Sequence, residues 1–125
     1  MSGKIVRTLL RLEIPGLPPT VNHIYRTGKN FRYKVKEVRD WQEKITLLMR
    51  HAKTNKEIYT FPVALKIICC SNDKRRWDID NRIKALQDCL APAGIIRDDS
   101  QVWKIQIERK LTEETSTKII LTELK

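Results

Sequence analysis

Val63-Ala64-Leu65-Lys66-Ile67-Ile68-Cys69-Cys70 carries one charge in eight residues and is otherwise apolar, with β-branched side chains prominent. Such a run reads as a largely buried strand, and the sequence on either side of it supplies elements to pack around it. Upstream, Val38, Trp41, Ile45, Leu48 and Ala52 recur at three- and four-residue steps with charges between them, which predicts an amphipathic helix over about residues 35–54. Further back, Leu10, Leu12 and Ile14 alternate with Arg11 and Glu13 in a strand over residues 5–14. Pro15, Gly16, Pro18 and Pro19 stop that strand and open a loop reaching about residue 34. Downstream, a polar, basic turn covers Ser71 to Trp77, and Ile79, Ile83, Leu86 and Leu90 then fall at helical spacing. This second helix ends where Ala91 precedes Pro92, with Gly94 just beyond. Residues 102–108 and 117–124 read as two strands joined by a polar hairpin from Lys110 to Thr115. The order β-α-β-α-β-β predicts an α+β fold, a four-stranded mixed sheet with two helices packed on one face. Trp41 and Trp103 share their registers with apolar neighbours and are expected in the core.

A chain of 125 residues suits one domain, 1–125. At 41% hydrophobic and 32% charged it is too apolar for disorder. No apolar run is long enough to span a bilayer, and residues 1–14 do not read as a signal segment. A cytoplasmic protein is the expectation. Cys69, Cys70 and Cys89 are odd in number and lack Cys-x-x-Cys spacing, and only His23 and His51 stand beside them, so reduced, buried thiols are expected rather than a zinc site.

The formal net charge is +10, with 25 Lys and Arg against 15 Asp and Glu. Most of the excess is N-terminal, where residues 1–50 hold 11 basic and 4 acidic side chains. Arg26, Lys29, Arg32, Lys34, Lys36 and Arg39 are interleaved with Tyr25, Phe31 and Tyr33. Basic residues mixed with aromatics suit a phosphate backbone and stacked bases, although the same pattern serves a solvated loop and first helical turn. A polyanionic partner follows from the charge; a fold does not.

Residues 73–99 behave differently. Asp73, Asp78, Asp80, Asp88, Asp98 and Asp99 lie there among six basic residues. Carboxylates oppose a polyanion unless cations bridge them to it. Taken singly, Asp78 reads as a helix cap, Asp80 as a first-turn carboxylate and Asp98-Asp99 as turn residues. Their company, Lys74, Arg75, Arg76, Arg82 and Lys84, is better explained by phosphodiester hydrolysis. Several carboxylates can hold a hard divalent cation that activates water and neutralises charge on the leaving oxygen, and a lysine one helical turn away can stabilise the transition state. A glycine-rich phosphate loop and a Gly-x-Ser-x-Gly elbow are both absent from the sequence. The competing class is a non-catalytic nucleic-acid-binding module whose aspartates only cap helices and fill turns.

Asp78-Ile79-Asp80-Asn81-x-x-Lys84, then Asp88-x-Leu90 and Gly94-Ile95-Ile96-x-Asp98-Asp99-x-Gln101-Val102, resembles the RusA-type Holliday junction resolvases. Leu17-Pro18-Pro19-Thr20-Val21-Asn22-His23-Ile24-Tyr25-Arg26 is similar to that family's Pro-Pro-Ser-x-Asn-x-x-Tyr segment. The likeness is strong over 78–102, fair over 17–26 and weak in the first helix and the last two strands. It implies a Mg²⁺-dependent homodimer that makes paired symmetric nicks in four-way branched DNA, leaving 5′-phosphate and 3′-hydroxyl ends, in recombination and repair. Enzymes of this type are usually carried by phages and prophages. Carried over by position, it implies metal-binding carboxylates at Asp78, Asp80 and Asp99 with Asp98 adjoining, and a catalytic lysine at Lys84. DNA contacts are implied at Asn22, Tyr25, Arg26, Lys74, Arg75 and Arg76. Trp77 stands where the family commonly has an arginine, which affects DNA affinity more than chemistry. A nuclease for flaps or forks is a variant of the same reading.

Overall fold

The computed structural model describes residues 5–19, 31–53, 55–74 and 82–125. The elements run β1 (Ile5–Pro15), α1 (Phe31–Ala52), β2 (Val63–Ser71), α2 (Ile83–Gln87), a 3-10 turn (Asp99–Gln101), β3 (Val102–Leu111) and β4 (Ser116–Leu124). Helix α1 begins four residues before the expected start, since no glycine or proline follows Gly28 until well past it. Val38, Ile45 and Met49 are buried, and Trp41, Leu48 and Ala52 pack against the core as the periodicity predicts. Helix α2 is short, and hydrogen-bonded turns continue it from Asp88 to Gly94. Gly94 ends this stretch at φ +74°, while the amide of Ile95 donates back to the carbonyl of Leu90 at 3.1 Å. That left-handed closure favours glycine.

The sheet order is β1-β4-β2-β3, with β2 parallel to β3 and antiparallel to β4. β2 is buried along nearly its whole length and needs a neighbour on each side. Leu10, Ile14, Leu65, Ile67, Ile119 and Leu121 from the sheet meet Ile45, Met49 and Leu86 from the two helices and Leu90 from the turns after α2 in one apolar cluster. The mixed sheet and its two helices are therefore as expected.

Two expectations fail. β3 and β4 do not form a hairpin, because β2 lies between them; residues 112–115 cross the end of β2, and the amide of Thr112 donates to the carbonyl of Ser71 at 2.9 Å. Trp103 is 70% exposed instead of buried. β3 is an edge strand, largely beyond the helices' cover. A register shift between Val63 and Ala64 also leaves Trp103 as an extra residue opposite β2, a bulge of the kind found at sheet edges. No described helix is long and apolar enough to cross a membrane.

Candidate active site

The described residues place the expected site side chains at two levels of the molecule. The upper level is the C-terminal end of β2. There Arg82, just before α2, donates from Nη1 to the carbonyl of Pro18 at 2.7 Å. Arg109 on β3 donates from Nη2 to the carbonyl of Asp73 at 2.6 Å. Burial is the main influence on the Arg82 guanidinium and lowers its pKa, an effect that Cys69 opposes and the positive charge of Arg109 reinforces. These bonds draw Pro18, Asp73 and Arg82 to one end of the sheet. Lys74 follows Asp73 and is exposed. Asn22, Tyr25, Arg26, Arg75, Arg76, Trp77, Asp78 and Asp80 lie outside the described residues. Lys84 is the second residue of α2, and its Nζ pairs with Asp88 Oδ1 at 2.9 Å.

The lower level is the entry to β2 and β3. Asp98 caps the 3-10 turn, its Oδ2 accepting from the amide of Ser100 at 3.0 Å and from the Ser100 hydroxyl. The Ser100 hydroxyl, then its amide, hold the Asp98 carboxyl below the usual carboxylate value. Gln101 fixes this corner. Its Oε1 accepts from the amides of Arg97 and Asp98 at 2.8 and 3.0 Å. Its Nε2 donates to the carbonyls of Tyr59 and Phe61 at 2.8 and 3.1 Å. Tyr59 is tied in turn, its amide donating to the carbonyl of Ile95 at 2.9 Å. Asp99, the first residue of the turn, is exposed on this rigid corner. With Asp98 engaged as a cap, Asp99 is the better-placed oxygen donor of the pair.

Packing against α1 measures the gap between the levels. Gln42 Nε2 donates to the carbonyl of Ala85 at 3.0 Å, whereas Lys53 Nζ reaches the carbonyl of Gly94 at 3.4 Å. From 42 to 53 is eleven residues of helical rise, roughly 16 Å. Lys84 belongs to the first level, and Asp98 and Asp99 lie beyond the second. The fold of one chain does not bring Lys84 to Asp99. Among the described residues no group of three or more metal-ligating side chains forms.

A family model described as Endodeoxyribonuclease RusA matches residues 15–122, which include both levels, all of α1, β2, α2 and β3, and β4 as far as Thr122, but only the last residue of β1. The chain belongs to the RusA family. Similar relatives include the crossover junction endodeoxyribonuclease RusA of Shigella sonnei (strain Ss046), 29% identical over 108 residues, or 86% of this chain and 89% of that one. The RusA of Escherichia coli (strain K12) is 28% identical and that of Enterobacteria phage 82 is 27% identical, over the same shares. An endodeoxyribonuclease of the RusA family thus accounts for the basic charge. Sequence reasoning quoted Gln101 within a motif but gave it no role, and it missed Arg109 altogether. Gln101 follows Asp98 by three residues, the spacing of a capping box, so that signal was present. Nothing in the sequence of β3 marks Arg109.

Proposed function

We propose that this chain is a Mg²⁺-dependent crossover junction endodeoxyribonuclease that nicks branched DNA as a homodimer. Membership of the RusA family over residues 15–122 carries this reading, and the names of the relatives from Shigella, Escherichia coli and phage 82 supply the substrate. The donor chemistry supports the ion. The expected ligands Asp78, Asp80 and Asp99 are all carboxylates, and all-oxygen sites suit hard cations. Asp78, Asp80 and Asp99 would hold it. Bound there, such an ion supplies an activated water and neutralises charge on the scissile phosphate. Asp99 offers its carboxylate from a corner immobilised by Gln101, so little order need be gained when DNA binds. Lys84 would present positive charge to the phosphate undergoing substitution. Arg75, Arg76 and Lys74, with Asn22, Tyr25 and Arg26, would hold the backbone.

The roughly 16 Å of helix between the two levels supports the homodimer. A site that needs the segment leading into α2 together with Asp99 is completed when each copy lends its Asp99 corner to the other. A two-fold assembly then holds two such sites for two strands.

The decisive experiment compares wild type with Asp80→Asn on a mobile four-way junction, a fork and linear duplex at one salt concentration. Wild type is expected to cleave the junction preferentially with Mg²⁺, and Asp80→Asn to bind it without cleaving. Undiminished cleavage by Asp80→Asn would remove Asp80 from the chemistry. Junction binding without cleavage by wild type would favour a binding module, and faster cleavage of forks would change the substrate. Mixing Asp80→Asn with Asp99→Asn tests the shared site. One intact site per mixed dimer, and hence single nicks, is expected; complete inactivity would place each site within one copy.

A further inference from the structure

Both helices meet the sheet through Leu65, Ile67, Ile119 and Leu121, so the alternate residues of the same strands face the other way. The pairing register aligns these in rows across all four strands. Thr8, Thr122, Ala64 and Lys104 form one row, and Arg11, Ile120, Lys66 and Gln106 the next. Ala64 is the smallest side chain of the two rows, and a basin of about 220 Å³ lies over it, lined on one side by Arg11 and on the other by Lys66 and Lys104. We propose that this basin grips the phosphate backbone of a duplex arm as it leaves the Asp99 corner. The assignment rests on the branched-DNA reading above and gives that substrate a contact surface apart from Lys74, Arg75 and Arg76.

The charge of the basin selects an anion. Among the described residues Arg11 and Lys104 pair with no carboxylate, and Lys66 meets Glu108 only at 3.9 Å. Glu108 itself accepts from Gln106 Nε2 at 2.9 Å. The row beyond holds Glu13 and Glu108, with Lys118 between them, so the carboxylates stand at one margin and the cations around the centre. Ala64 and Ile120 give the stems of the lysines and the arginine an apolar floor to lie on, with the charged heads at the rim. Thr8 adds a hydroxyl, a common donor to phosphate oxygens.

Span and position select a duplex. Arg11 and Lys104 stand on strands three spacings apart, about 14 Å, close to the roughly 12 Å width of the major groove. The two can therefore reach phosphates on both rims of that groove, with Lys66 between them. Lys104 also follows Asp99 by five residues, at most about 17 Å of chain, which is about five base pairs of duplex. An arm cut at the Asp99 corner thus meets Lys104 first and then crosses the sheet toward Arg11.

A four-way junction in EDTA, where no cleavage intervenes, tests the basin. Arg11→Gln, Lys66→Gln and Lys104→Gln should each lower the slope of log K against log salt by about 0.9, and the triple variant by about 2.7. Lys66→Arg should keep the wild-type slope. Hydroxyl-radical footprinting should show wild type protecting an arm about five base pairs from the cleavage positions, and the triple variant losing that protection while it still protects the junction centre. Equal slopes and footprints for wild type and triple variant would overturn the basin and leave the junction reading standing. A triple variant that sediments differently from wild type without DNA would make this face a protein contact and overturn its role on DNA. Wild type that neither binds the junction nor cleaves it with Mg²⁺ would overturn both.

Discussion

Gln101 joins four backbone groups: two amides in the Asp98 corner and two carbonyls before β2. Replacing it with alanine should cost about 2–3 kcal/mol, since two exposed and two part-buried hydrogen bonds of about 1 kcal/mol each are lost and the Tyr59 and Phe61 carbonyls are left without that donor. Urea titration measures that cost. Single-turnover cleavage should fall more than junction affinity, because Asp99 loses its orientation and not its charge. Asp98 makes a prediction in pH. Its folded pKa lies below the usual 3.8 through its bonds to Ser100, so it favours the folded state above that value and loses the effect as pH falls through the folded pKa. The stability difference between wild type and Ser100→Ala should therefore shrink from pH 6 to pH 3 in paired urea titrations. An unchanged difference would mean that the carboxylate gains nothing from Ser100.

At the scale of elements, α2 depends on close contact with α1. Cys89 lies between them, with Sγ 3.3 Å from the carbonyl of Ala85, and burial pushes its thiol up to about 11. Native protein at pH 8 should therefore resist iodoacetamide at Cys89 and react there only in denaturant, as peptide mass analysis would report; rapid labelling of the native state would mean that α2 opens readily. Strands and helices were legible because their apolar periodicity is strong, although α2 itself ends at Gln87 and Gly94 closes only the turns that continue it. The pairing of the last two strands was not. A four-residue polar link normally implies a hairpin, and only the demand of β2 for two neighbours overrides it. Trp103 misled for a related reason: alternation shows that a residue shares a face with Ile105 and Ile107, not whether a helix covers that face. The chemistry of the site was legible as residue types, but its division into two levels was not, because spacing from Lys84 to Asp98 says nothing about the direction in which the chain returns to β3.

For the whole molecule, the net charge of +10 predicts junction binding that weakens steeply with salt. Each phosphate contact contributes about 0.9 to the slope of log K against log salt. Replacing Arg75 and Arg76 together by alanine should flatten that slope by about two if both contact phosphates, as fluorescence anisotropy across a salt series would measure. An unchanged slope would show that they point away from DNA.

β4 pairs with β1 on one side and β2 on the other, yet it follows both in the chain. While a nascent chain emerges, the apolar Ile67-Ile68-Cys69-Cys70 run has β3 on one flank and nothing on the other. β1 has no strand partner at all until the residues after 115 arrive. Every proposed site residue precedes that point. A premature stop codon just past Leu111 would leave the entire catalytic inventory in place on a polypeptide unable to assemble its sheet, and such a product would be cleared by proteases or aggregate before it met DNA.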